Sequence, residues 1–359
     1  AGMDDNGNAI AVWSVNVDDA NFDGLWESHS AGGLTWSAPV RLRVGKIYYS
    51  EPGIAFDVSR NGRARAAWQE SANNINTLWT AYYDGTTWTA AAKVRDGSDS
   101  SERRPLVSLD AVGAGVLIWA QRSGATTGEE SVLASRFTGT ALGAPALLET
   151  FEGNWASYPH VYVNAAGKGA ATWLQTTASG DRQEVWTSIN DGTSWKTPEK
   201  IIAAGWVSDP FVVADKEGNL TLAWSQPLGG LGKANTLYSR RGAADAAWSA
   251  PMPLETDNVA EGLTTEQPIP RFTTDSTGRV HVGWRKKGAN GEMLVYTRSF
   301  TSAGGWGPEF KLGGVPKLFA DSPQIVSADN GLTLAAFFSY DPKNIGSTES
   351  FNIFFSAYR

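Results

Sequence analysis

The side chains best suited to chemistry in this 359-residue chain stand in short links, each just before a proline. The links read Tyr48-Tyr49-Ser50-Glu51-Pro52, Glu102-Arg103-Arg104-Pro105, Trp155-Ala156-Ser157-Tyr158-Pro159, Trp206-Val207-Ser208-Asp209-Pro210, Glu266-Gln267-Pro268 and Phe319-Ala320-Asp321-Ser322-Pro323. Aromatic faces beside carboxylates suit sugar rings: the C–H face stacks, and the carboxylate accepts hydroxyl hydrogen bonds. The ligand-binding candidates are therefore Tyr48, Tyr49, Glu51, Glu102, Trp155, Tyr158, Trp206, Asp209, Glu266 and Asp321. The alternative is that the acids cap turns and the aromatics cover strand edges. The sequence leaves both readings open.

A second candidate is local. Asp19-Ala20-Asn21-Phe22-Asp23-Gly24 matches the first half of an oxygen-ligand calcium loop. There, alternating carboxylate and amide oxygens face one cation and Gly allows the sharp turn. Asp19, Asn21 and Asp23 are the candidate Ca2+ ligands. Ser30 stands where an EF-hand has its bidentate Glu, so a plain polar hairpin is the competing reading.

Other chemistry is poorly served. His29, His160 and His281 lie far apart with no metal-like spacing. No Gly-x-Ser-x-Gly elbow occurs. Gly232-Lys233 is no phosphate loop, because Pro227 takes the place of the required Gly and Ala234 that of Ser or Thr. With no cysteine, disulfides and thiolate chemistry are excluded. No residue is assigned a catalytic role.

The elements that must position the links show themselves as a repeat. Seven phrases end in an aromatic, at Trp13, Trp68, Trp119, Trp173, Trp224, Trp284 and Phe337. The period is roughly fifty residues, with no helical periodicity. Each unit reads as a first strand, often opened by Pro as at Pro52, Pro159, Pro210 and Pro323, a tight turn that usually carries Gly, and a second strand ending at the anchor. A polar loop, a third strand and a short fourth strand follow. A further Trp introduces that fourth strand at Trp36, Trp88, Trp195, Trp248 and Trp306, and Ala141-Leu142-Gly143 replaces it in the third repeat. A lone four-stranded meander cannot bury both faces, whereas radial stacking on its neighbours does. The expectation is an all-β chain, a seven-bladed β-propeller of four-stranded antiparallel meanders, as one domain over residues 1–359. The first blade has almost no first strand and the last stops at its third, so both are expected to be incomplete in this chain; the sequence leaves open whether the natural chain extends beyond them. The anchor Trp residues are expected between blades. The links and the loops between second and third strands should share one face, around a channel mouth.

Tyr83-Asp84-Gly85-Thr86-Thr87-Trp88 and Asn190-Asp191-Gly192-Thr193-Ser194-Trp195 add a resemblance. The repeats resemble those of the bacterial neuraminidase-like propellers, a group of sialidases and many secreted non-catalytic relatives. The family's box has one residue between Asp and Gly. Here Asp abuts Gly, so the match is to the style of the repeat. The resemblance implies a propeller in which these boxes are turn elements. It implies sialidase activity only with three converging arginines, a Tyr–Glu pair and an Asp acid. The early Arg-Ile-Pro signature is absent, and Arg104-Pro105-Leu106 and Pro270-Arg271-Phe272 do not reproduce it.

A formal net charge of −7 argues against a nucleic-acid partner. No apolar run approaches the roughly 18 residues of a membrane helix. Lack of cysteine fits many exported bacterial proteins, so the expected place is extracellular, cell-surface or periplasmic. The expected function is a non-catalytic binding propeller for a glycan or a surface protein. Two alternatives stand beside it: a sialidase-like glycoside hydrolase with carboxylates at the channel mouth, and a structural module of a larger surface assembly.

Overall fold

A computed structural model describes residues 1–17, 19, 21–32, 35–45, 47, 53–72, 75–95, 100–123, 130–149, 155–177, 180, 183–205, 207–227, 235–242, 246–254, 270–275, 277–287, 293–313, 319–327, 333–340 and 351–358. The described residues are all-β and form seven separate antiparallel sheets in chain order. They divide into two compact units, Ala1–Ala203 and Ala204–Arg359.

Sheet 1 holds Gly2–Met3, Ala9–Val15, Gly24–Ser30 and Val40–Val44. Sheet 2 holds Ile54–Val58, Ala64–Ala72, Ile75–Tyr83 and Ala92–Lys93. Sheet 3 holds Ser100–Leu109, Gly115–Ser123 and Glu130–Thr138, with Ala141–Leu142 and Ala146–Leu147 both paired to the third strand. Sheet 4 holds Ala156–Val163, Gly169–Thr176, Gln183–Asn190 and Glu199–Gly205. In the second unit, sheet 5 holds Ser208–Ala214, Leu220–Pro227, Asn235–Gly242 and Met252–Pro253. Sheet 6 holds Arg271–Thr274, Val280–Lys287, Met293–Thr301, Gly305–Trp306 and Phe310–Gly313. Sheet 7 has the three strands Phe319–Ser327, Thr333–Tyr340 and Phe351–Tyr358.

Four of the seven anchors, Trp68, Trp119, Trp173 and Trp284, pack between sheets. Trp68, Trp119, Trp173, Trp224 and Trp284 are fully buried. Trp68 packs with Leu25 of sheet 1, and Trp119 with Ala67 and Leu78 of sheet 2. Trp173 packs with Val116, Ile118 and Val132 of sheet 3, and Trp284 with Ala223 and Leu254 of sheet 5. Each such ring removes about 200 Å² from water, on the order of several kcal/mol before entropy. Four of the indole N–H groups donate to the side chain two residues on: Glu70, Gln121, Gln175 and Gln226. This Trp-x-Glu/Gln pattern satisfies a donor that burial would otherwise strand.

The hairpin between first and second strands also repeats. Asp4, Asp110, Asn164, Asp215 and Asp275 each accept the N–H groups two and four residues on, at 2.8–3.1 Å. The turns of neighbouring sheets touch. Asp5 N–H donates to the Arg60 carbonyl, and a Cβ on Gly62 (φ 81°) would stand 3.0 Å from Asp4 Oδ2. Gly62 thus serves both its own turn and its neighbour's.

The prolines correct one expectation. Among the described residues they do not open the first strands, and Pro52 lies outside those residues. Strands begin at Ser100, Ala156, Ser208 and Phe319, and Pro105, Pro159, Pro210 and Pro323 fall inside them. In each case the register slips by one, so the dipeptide ending in Pro lies opposite the anchor aromatic. Pro has no N–H for the ladder, and a bulge is where a strand tolerates that.

Candidate functional site

The bulges build the site. In sheet 3, Arg104-Pro105 lies opposite Trp119, and in sheet 4 Tyr158-Pro159 lies opposite Trp173. Arg104 (φ 52°) and Tyr158 (φ 53°) are the two non-glycine residues with positive φ among the described residues. Such backbone costs about 1–3 kcal/mol per residue and persists only where the surroundings impose it. The two strained residues meet: the Arg104 guanidinium carbon lies 3.6 Å from the centroid of the Tyr158 ring.

A second pair stands beside the first. Arg122, near the end of the second strand of sheet 3, lies 4.5 Å from the ring centroid of Trp155. The Trp155 carbonyl accepts the N–H of Thr176, which fixes the entry to sheet 4. Both rings keep an open face, with Trp155 45% and Tyr158 40% exposed. Arg122 also reaches Glu130, with Nη2 3.9 Å from Oε2. Burial pushes the Glu130 carboxyl up, and Arg103, Arg122 and Arg104 pull it back. Three guanidinium groups thus act electrostatically on one carboxylate, Arg122 from within ion-pair reach. Among the described residues, the Nε atoms of Arg103 and Arg122 are buried without a hydrogen-bond partner. The corner offers two aromatic faces and an excess of cationic donors, which suits a sugar ring bearing a carboxylate or sulfate.

The other sequence candidates fall in different places. Glu102 is adjacent in chain but buried, and its Oε2 accepts the N–H of Leu78 at 3.0 Å. Burial pushes its carboxyl up. Asp209 occupies the sheet 5 bulge and Asp321 pairs with Phe338 beside the sheet 7 bulge; their side chains lie outside the description. Tyr48, Tyr49, Glu51, Trp206 and Glu266 lie outside the described residues. The structure therefore brings together Trp155 and Tyr158. It adds Arg103, Arg104, Arg122 and Glu130, which were not among the ligand candidates. The signal for Arg104 was present in the sequence as Arg-Pro at the position of Tyr-Pro. The signal for Arg122 and Glu130 was absent, because pairing across a hairpin brings them in.

The Asp19–Asp23 loop closes on itself. Asp19 Oδ1 accepts the Asn21 N–H at 2.9 Å, and Asp23 Oδ1 accepts the Val17 N–H at 2.6 Å. Arg41 Nη1 donates to the Asn21 carbonyl at 3.0 Å, so a cation of the chain already sits on the loop. No cluster of three His, Asp or Glu side chains suited to a metal occurs among the described residues.

No family model and no curated protein matches the chain. Solved structures do. The polysaccharide lyase Uly1 aligns over 99% of this chain and 89% of its own, with TM-score 0.58 and 9% identity. A PL25 ulvan lyase, solved bound to -[GlcA(1-4)Rha3S]-, covers 99% of this chain and 90% of its own, with TM-score 0.55 and 10% identity. The Hadza microbial sialidase Hz136 covers 94% and 73%, with TM-score 0.50 and 10% identity. What they share with this chain is an all-β, propeller-like fold. At such identities the likeness speaks for architecture alone, so the chemistry must come from the corner itself.

Proposed function

We propose that the chain is a seven-bladed propeller, secreted or held at the cell surface, that binds an acidic carbohydrate without transforming it. One observation carries the reading: the two strained residues of the described structure, Arg104 and Tyr158, are stacked on each other beside Arg122 and Trp155. Strain concentrates where a protein must hold side chains in place for a ligand. Structural neighbours that act on polysaccharides and sialosides, one of them solved on a uronate-containing ligand, are in keeping with it.

The test is a glycan array followed by titration calorimetry on its strongest hit. Trp155→Ala, Tyr158→Ala and Arg122→Gln should each weaken binding about tenfold or more, as loss of an aromatic or arginine anchor does. Unchanged binding in all three moves the site elsewhere. An array with no hits favours a protein partner. Calcium at Asp19, Asn21 and Asp23 is proposed only as a brace for that hairpin, and binding and melting unchanged by EGTA in the same titrations remove it. A catalytic reading rests on Glu102 and Glu130, both pushed up by burial as a general acid requires. Release of reducing ends from the bound glycan, lost in Glu130→Gln, would replace the binding reading.

A further inference from the structure

Arginines latch neighbouring sheets inside each unit. Arg65 of sheet 2 lies 4.0 Å from the ring centroid of Phe137 in sheet 3 and donates to the Gly139 carbonyl. Arg136 of sheet 3 donates to Asn190 Oδ1 and to the Gly192 carbonyl of sheet 4. Arg241 of sheet 5 lies 4.3 Å from the ring centroid of Phe300 in sheet 6 and pairs with Asp215. The receiving residues are equivalent. Phe137, Asn190 and Phe300 pair with Gly115, Gly169 and Val280, each five residues beyond the acid or amide that caps the hairpin.

The junction between sheets 1 and 2 has the same slot and no arginine. The position of Arg65 is Ile10, and that of Arg136 and Arg241 is His29, the partner of Ile10 in the ladder. A cavity of about 370 Å³ opens there, lined by Asp4, Ile10, His29, Ser30, Tyr83 and Gly85 among others. Its walls carry the parts that hold a guanidinium elsewhere. The Tyr83 ring stands in the place of Phe137 and Phe300, and Gly85 in that of Gly139 and Gly192.

Asp4 stands in the place of Asp215. Their turns are duplicates, and Oδ2 of each accepts the side-chain amide four residues on, Asn8 or Asn219, at 2.9 Å. Asp215 Oδ2 accepts Arg241 in addition. Asp4 Oδ2 therefore has the same geometry for a second, charged donor. Ser30 Oγ is buried and has no hydrogen-bond partner among the described residues. The field is negative as well: besides burial, Glu27 and Asp84 push the Tyr83 phenol up.

We propose that this cavity binds a guanidinium group supplied from outside the fold, either the arginine side chain of a partner protein or a free arginine derivative. The planar group would lie on Tyr83 and donate to Asp4, as Arg241 lies on Phe300 and donates to Asp215. The site lies at the hairpin-turn ends of the strands, away from the links. It stands independently of the carbohydrate reading.

Titration calorimetry with agmatine, with the peptide acetyl-Gly-Arg-Gly-amide and with cadaverine tests it. Agmatine should bind, and cadaverine about tenfold more weakly, because an ammonium lacks the planar fork. Binding of the peptide as well assigns the slot to a protein side chain, and agmatine without the peptide assigns it to a small molecule. Ile10→Arg should fill the slot from within, raise the melting temperature and abolish agmatine binding. Tyr83→Leu, which keeps an apolar side chain there, should weaken it about tenfold if Ile10→Arg does not fold. No binding of agmatine, equal binding of cadaverine, or agmatine binding retained in folded Ile10→Arg would each overturn the proposal.

Discussion

Asp84 shows how much one exposed carboxylate can organise. Its Oδ1 accepts the N–H groups of Thr86 and Thr87 and the Thr86 hydroxyl, at 2.7–2.8 Å. The Thr87 N–H, then the Thr86 hydroxyl and N–H, pull its carboxyl from 3.8 down to about 2. Asp191 repeats the arrangement with Thr193 and Ser194 and is lowered as well. A carboxylate whose folded value is depressed stabilises above its unfolded value and loses that contribution as pH falls through the folded one. Asp84→Ala should therefore melt below the parent at pH 7, and the gap should close as pH drops from about 4 to 2. Melting curves followed by circular dichroism across that range decide it; a gap that stays constant with pH would show that the turn does not depend on ionisation. The resemblance to a known box was legible in Asp-Gly-Thr-Thr-Trp. The box is one residue shorter between Asp and Gly, and Asp84 still caps the turn, because its Oδ1 reaches the N–H groups two and three residues on.

At the scale of elements, the anchors were legible because a buried strand ending in Trp recurs with fixed spacing. The bulges were not, since Pro at a strand's first residue and Pro at a bulge read alike in sequence. Only the register shows that Pro159 follows a residue forced into left-handed backbone opposite Trp173. Two kinds of Trp also look alike in sequence and differ in burial. Trp173 is fully enclosed by sheets 3 and 4, whereas Trp36, introducing the fourth strand of sheet 1, is 46% exposed. Trp173→Ala should cost about 3–5 kcal/mol in urea unfolding, the range for large-to-small changes in a core. Trp36→Ala should stay within about 1 kcal/mol. Equal costs would mean that sheet-to-sheet packing does not depend on the anchor row.

For the whole molecule, charge sets a contest. The chain carries −7, which repels an acidic glycan at long range, while Arg103, Arg104 and Arg122 around Glu130 attract it at contact. Composition alone revealed the first and hid the second, because the three arginines come from two strands of one sheet. The two effects respond oppositely to salt, which shortens the screening length from about 10 Å at 0.1 M to about 3 Å at 1 M. In the parent protein, contact attraction dominates, so affinity for a carboxylated or sulfated glycan should fall several-fold over that range while a neutral glycan is unaffected. In Arg104→Gln, Arg122→Gln the attraction is largely gone and the acidic field remains, so residual binding should be flat or strengthen with salt. Titrations of both proteins at three salt concentrations settle the matter. The same salt slope in parent and double variant would place ionic recognition outside this corner, and leave Trp155 and Tyr158 as stacking faces for an uncharged sugar.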